Sequence, residues 1–138
     1  MKLQFLTILL FASFSAHADV SPFERLTIND EDEFNAVRII LLDQMLTINN
    51  LRITTQNKII WKDEELRIQA LKCDVQELEE ITLRLYEKNK QLITKEEYTE
   101  KVEQYKNIIK SHIPNCQEIK QQESKVNWKT VAEFPASQ

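Results

Sequence analysis

Apolar residues recur at intervals of three and four over three long stretches of the chain, which is the spacing of one face of an α-helix. The first stretch follows residues 29–33, an asparagine and four acidic residues that suit a helix start, and runs to about residue 58. Its predicted core positions are Phe34, Val37, Leu41, Met45 and Ile48. Ile40, Leu42 and Leu46 lie beside them, and we expect these three residues to widen the same buried face.

The second predicted helix begins near Asp63, a candidate N-cap, and fades near Asn89. Its expected core positions are Ile68, Leu71, Val75, Leu78, Ile81 and Leu85. The third begins at a capping box formed by Thr94 and Glu97 and ends at Pro114, with His112 in its last turn. Its expected core positions are Tyr98, Val102, Tyr105, Ile109 and Ile113.

A short helix is also predicted at the motif Ser21-Pro22-Phe23-Glu24, where Ser21 can cap and Pro22 suits the first helical position. The chain has no glycine and only three prolines. Tight β-hairpins depend on glycine, so a β fold is disfavoured. We therefore predict an all-α fold: a small antiparallel bundle of about three main helices plus a short N-terminal helix, stapled by one disulfide.

The first eighteen residues have the organisation of a cleaved signal peptide. Lys2 supplies a positive charge, residues 3–14 are apolar, and Ala16-His17-Ala18 places the cleavage point between Ala18 and Asp19. The apolar run is shorter than the ~20 residues that a spanning helix needs. We therefore expect the mature chain to lack a transmembrane anchor and to be secreted or periplasmic.

The two cysteines, Cys73 and Cys116, form an even pair in a chain predicted to be exported. Such a pair indicates a structural disulfide. The bridge would tie the segment after the third helix to the early part of the second. We divide the mature chain into a helical domain, residues 19–116, and a polar C-terminal tail or short docked segment, residues 117–138.

The chemistry-bearing residues are few. No zinc, di-iron or Cys-x-x-Cys spacing is present, and His112 is the one histidine of the mature chain. We predict no catalytic residue, metal ligand or cofactor. The formal net charge of −4, without a basic cluster, disfavours nucleic acid and anionic membranes as partners.

These features favour a non-enzymatic extracytoplasmic protein that binds or inhibits another protein. The tail residues Trp128, Val131 and Phe134 are candidate partner-binding residues, because aromatic anchors often carry interface energy. Two alternatives stay open. One is a small helical enzyme with an acidic cleft between the second and third helices, formed by residues Glu79, Glu80, Glu96 and Glu100. The other is an oligomerising, chaperone-like envelope protein.

Overall fold

The computed structural model describes residues 21–56 and 62–127, and in these ranges the chain is helical without a β-strand. The four α-helices are α1 (Glu31–Gln56), α2 (Lys62–Lys88), α3 (Lys95–Ile109) and α4 (Cys116–Glu123). One-turn 3-10 helices, Pro22–Arg25 and Lys90–Leu92, precede α1 and α3. The predicted all-α bundle with one disulfide is confirmed.

Local capping sets the starts of α1 and α3 where the sequence indicates them. Helix α2 begins at Lys62, so Asp63, its candidate N-cap, lies within the first turn instead. Before α1, the Asp30 carboxylate accepts a hydrogen bond from the amide of Glu33 at 2.8 Å, and the Glu33 carboxylate accepts one from the amide of Asn29 at 2.9 Å. Before α3, the Thr94 hydroxyl accepts from the amide of Glu97 at 3.2 Å. The Glu97 carboxylate does not close a reciprocal capping box, because it binds Arg38 of α1 instead.

Helix α2 is the central element, and α1, α3, α4 and the first 3-10 helix each pack against it. The main core lies between α2, α1 and α3. Its fully buried centre includes Phe34, Leu41, Leu78 and Tyr86, with the Phe34 and Tyr86 rings in edge-to-face contact at 5.3 Å between centroids. The six core positions predicted for α2 are all buried, which confirms the helical register inferred from the sequence.

A second, smaller cluster lies where α4 meets α2. It is built around the disulfide between Cys73 and Cys116, whose Cα atoms are 5.4 Å apart, and it buries Ala70 and Ile119. Residues 116–123, which the sequence assigns to a domain edge and a polar tail, are therefore the start and body of a fourth helix. Ion pairs join the outer positions of α4 to α2. In one of them, the Glu123 carboxylate lies 3.1 Å from the guanidinium of Arg67.

Helix α3 ends at Ile109, before Pro114, so the predicted end was too late. The Gln76 side chain of α2 explains the early end. Its amide oxygen accepts from the amide of Ile113 at 2.9 Å, and its amide nitrogen donates to the carbonyl of Ile113 at 3.3 Å. These bonds satisfy the backbone N–H and C=O groups of Ile113, which lies in the turn between α3 and Cys116.

Several predictions from sequence fall outside the described residues. These are the signal segment, its cleavage point at Ala18 and Asp19, and the tail residues Trp128, Val131 and Phe134. Within the described residues, no helix is both long and apolar enough to cross a lipid bilayer.

Reducing the disulfide should lower the free energy of unfolding by roughly 4 kcal/mol, since it closes a loop of 43 residues. Reduction is preferable to substitution because the thiols keep the volume of the buried sulfur atoms. Urea unfolding of the oxidised and reduced protein, monitored by circular dichroism, measures the difference. Equal midpoints in the two states would contradict a stabilising role for the bridge.

The Lys120 ammonium should make stability depend on alkaline pH. Burial lowers its pKa, but hydrogen bonds and attraction from Asp74 and Glu77, at 2.7 and 2.6 Å, outweigh burial and raise it above the ordinary value of 10.5. The stabilisation of the folded state by these contacts of Lys120 is therefore complete below pH 10.5. It is lost as pH rises through the raised pKa of Lys120.

The measurement is the free energy of unfolding of the wild type and of Lys120→Met between pH 8 and pH 12. We expect the advantage of the wild type to shrink above pH 10.5. Lys125→Met, a change at an exposed position, is the control and should follow the wild type across the whole range. A Lys120→Met difference that is constant with pH would contradict the ionic origin.

Candidate functional site

The outer surface of α1 is the most unusual feature of the described chain. Over residues 21–56 and 62–127, the exposed large hydrophobic side chains all belong to α1, and between 47% and 61% of each is accessible to solvent. They are Ile39, Leu42, Leu46, Leu51 and Ile53. Single exposed apolar residues are ordinary on a protein surface, whereas a contiguous set marks an interaction site.

Four of these residues form one stripe along the helix. Ile39, Leu42, Leu46 and Ile53 follow one another at spacings of three, four and seven, so they share a face. We call this set the outer stripe. Leu51 lies about 150° away around the helix axis from the middle of the stripe, at 100° per residue.

Leu42 and Leu46 were expected to widen the buried face of α1, and that expectation was wrong. The core face carries Phe34, Val37 and Leu41, all buried against α2. Leu42 follows Leu41 by one residue and is therefore turned by about 100° from it, away from α2. In the described structure no second layer of helices packs on that side.

One polar side chain beside the stripe is fixed to the rest of the bundle. Arg38 lies beside it, and its Nη1 atom donates to the buried Tyr86 hydroxyl at 3.2 Å and to the Glu97 carboxylate at 2.5 Å. The hydrogen bond that Arg38 donates to Tyr86 is the largest cause of the raised pKa of Arg38. Burial lowers this pKa, and the charge of Glu97 adds to the rise. Asn49 fills the gap in the stripe between Leu46 and Ile53.

The acidic residues considered for an enzymatic cleft are divided into two groups. Glu79 and Glu80 of α2 hold the ring of His112, with Nε2 2.7 Å from one carboxylate and Nδ1 3.3 Å from the other. His112 lies beyond the end of α3, and its side chain is only 10% exposed. Glu96 is in the first turn of α3 and Glu100 is one turn further, so this pair lies near the opposite end of that helix.

In this arrangement His112 connects two parts of the bundle. Both ring nitrogens lie within hydrogen-bonding distance of carboxylate oxygens of α2. The contact joins the turn after α3 to the middle of α2. Close by, burial raises the pKa of Tyr105, which keeps its phenol neutral.

One open depression of about 410 Å³ runs along α3. Its described lining comes from that single helix and includes Tyr98, Val102, Lys106 and Lys110. These groups do not form a convergent set of acid, base and nucleophile. Within the described ranges, no group of three or more His, Cys, Asp or Glu residues is placed to hold a metal ion.

Comparison of the chain with protein-family models, with curated proteins and with solved structures finds no match. Sequence reasoning placed candidate binding residues in the tail and missed the outer stripe. The sequence does contain the outer stripe as a second apolar periodicity in α1. Its members Leu42 and Leu46 each follow a core residue of α1 by one position.

Substituting the outer stripe should leave the fold intact. We expect Leu46→Lys to change the free energy of unfolding by less than about 0.5 kcal/mol, because the side chain is already exposed and lysine is a good helix former. Leu41→Ala, in the fully buried core of the same helix, should cost about 2–5 kcal/mol. Urea unfolding at low micromolar protein concentration compares the two variants.

A cost for Leu46→Lys as large as that for Leu41→Ala would contradict an open stripe. It would mean that another part of the same chain, such as residues 128–138, covers this face. Leu51→Lys is the matched control, since it introduces the same side chain at a similarly exposed position outside the stripe.

Proposed function

We propose that this protein is a non-enzymatic extracytoplasmic binding protein that recognises a helix of a protein partner through the outer stripe of α1. The observation that carries the proposal is the gathering of the exposed large apolar side chains of the described chain on this one helix. Ile39, Leu42 and Leu46 give the stripe its continuous part, and Ile53 extends it by two further turns.

The shape of the stripe favours a helical partner. It lies on the convex surface of a long helix, whereas small molecules bind in concave pockets that enclose most of their surface. Side chains spaced by three and four residues leave holes into which the side chains of a second helix with the same spacing fit. No charged residue lies within the stripe, so the matching face of the partner is apolar.

The extracytoplasmic location is supported by two observations. Residues 1–18 have the organisation of a signal peptide. The disulfide between Cys73 and Cys116 is of a kind that persists in oxidising compartments. The secreted and the periplasmic versions of this location remain equally compatible with both observations.

The candidate tail residues Trp128, Val131 and Phe134 stay a prediction for a second point of contact. The enzymatic alternative would require Glu79, Glu80, Glu96 and Glu100 to line one cleft. Their placement toward opposite ends of α3 and the engagement of the first two by His112 do not favour it.

A photo-crosslinking amino acid at position 42 tests the proposal directly. We expect irradiation of the mature protein in its native extracytoplasmic fluid to give a covalent adduct with a protein. The same group at position 51, on another face of α1, should give none. Adding Leu46→Lys to the position-42 probe should abolish the adduct. Absence of an adduct at position 42, or equal adducts at positions 42 and 51, would contradict the proposal.

A further inference from the structure

The outer stripe has the spacing of a coiled-coil seam. In a heptad lettered a to g, Ile39, Leu46 and Ile53 occupy successive a positions, and Leu42 and Asn49 occupy the intervening d positions. Two-stranded coiled coils repeat apolar residues at a and d, and in parallel coiled coils β-branched residues at a with leucine at d favour two strands. The stripe ends where polar residues Asp32 and Asn35 take the preceding a and d positions.

We infer that the occupant of the outer stripe is α1 of a second copy of this chain, paired parallel and in register. The inference rests on the proposed function, since it names the helix that the stripe recognises. In this pairing each residue of the seam meets its own counterpart, so Ile39, Leu42, Leu46 and Ile53 each form an apolar layer.

The single polar residue of the seam selects the parallel register. Asn49 then faces Asn49 of the second copy, and two amides can hydrogen-bond to each other. An antiparallel coiled coil places a positions opposite d positions. If Leu42 faces Leu46 at the centre of an antiparallel pair, then Ile39 faces Asn49. The amide of Asn49 is then buried beside an apolar side chain, which costs desolvation free energy.

Charge complementarity also favours the parallel pairing. Arg38 is at position g and Asp43 is at position e of the next heptad. The Nη1 atom of Arg38 is already bound to Tyr86 and Glu97, so a contact with Asp43 of the second copy would use the other N–H groups of the guanidinium. In a parallel dimer the g residue of one helix lies next to the e residue of the following heptad of the other helix, and such pairs set partner choice. Asp43 is exposed and has no ion pair within the described part of the chain. Antiparallel pairing sets g beside g and e beside e, so Arg38 and Asp43 do not meet.

The length of the stripe indicates a weak, reversible dimer. From Ile39 to Ile53 the seam runs about 21 Å at 1.5 Å per residue, which is two heptads. Stable interfaces bury about 800 Å² per partner over 20–30 residues, and a seam of this length falls below that. We therefore expect a dissociation constant between about 10 μM and 1 mM.

Sedimentation equilibrium of the mature chain, residues 19–138, with the disulfide formed, is the first measurement. We expect a monomer–dimer equilibrium for the wild type as the protein concentration rises to about 1 mM. Leu46→Lys should weaken the dimer at least about tenfold, because two ammonium groups would face each other in one layer.

Leu51→Lys, at position f and outside the seam, should dimerise like the wild type. Circular dichroism verifies that each variant is folded. If Leu46→Lys does not fold, Leu42→Gln replaces it and should weaken the dimer in the same way. A dimer that survives the seam substitution would overturn the inference.

Single cysteines test the orientation, because disulfide formation needs Cα atoms within about 7 Å. We expect Ile39→Cys and Ile53→Cys each to form self-linked dimers on mild oxidation, because parallel pairing places each position against itself. Linkage of Ile39→Cys to Asn49→Cys in a mixture, with no self-linked product, would show antiparallel pairing and overturn the proposed geometry.

A wild type that stays monomeric at about 1 mM would overturn the inference. It would point to another occupant, either a different protein or residues 128–138. The crosslinking experiment separates this result from failure of the proposed function. An adduct at position 42 with a different protein would retain helix recognition and reject the second copy.

Discussion

Burial of α2 on several sides at once is the constraint on which the rest of the structure depends. Leu78 and Leu85 face the main core, whereas Ala70 and Cys73 lie on another side of the helix, against α4. A helix with apolar residues on more than one face has to be covered on each of them. Each other α-helix therefore makes its main contact with α2, and α4, too short to be stable alone, is held there by the disulfide and its ion pairs.

A polar junction fixes how α1 and α3 sit on this central helix. The buried hydroxyl of Tyr86 needs a hydrogen-bond partner, and Arg38 supplies it from α1. The same guanidinium holds Glu97 at the start of α3. Because Arg38 borders the outer stripe, the junction also sets the rotation of α1 that directs the stripe away from the core.

The two apolar faces of α1 have different energetic roles. Full burial of a leucine or isoleucine is worth about 1.5–3 kcal/mol, and the core face gains this on folding. About half of the surface of each residue in the outer stripe is exposed to solvent. Burying that surface on association can therefore contribute part of the same free energy. Lost translational and rotational freedom opposes that gain, which is why a seam of four apolar residues suits reversible binding.

Local patterns in the sequence determined much of this protein: the register of α2, the start of α1 near residues 29–33, the N-cap at Thr94, and the pairing of its two cysteines. The helix register and the helix starts depend on residues close in sequence, and two cysteines allow only one pairing. The tertiary structure decided what depends on distant contacts. It turned Leu41 toward α2 and Leu42 away, since both belong to helical periodicities and only packing distinguishes them. It likewise ended α3 through Gln76, set His112 between Glu79 and Glu80, and made residues 116–123 a helix, because the partners of these residues lie at least 30 positions away in the chain.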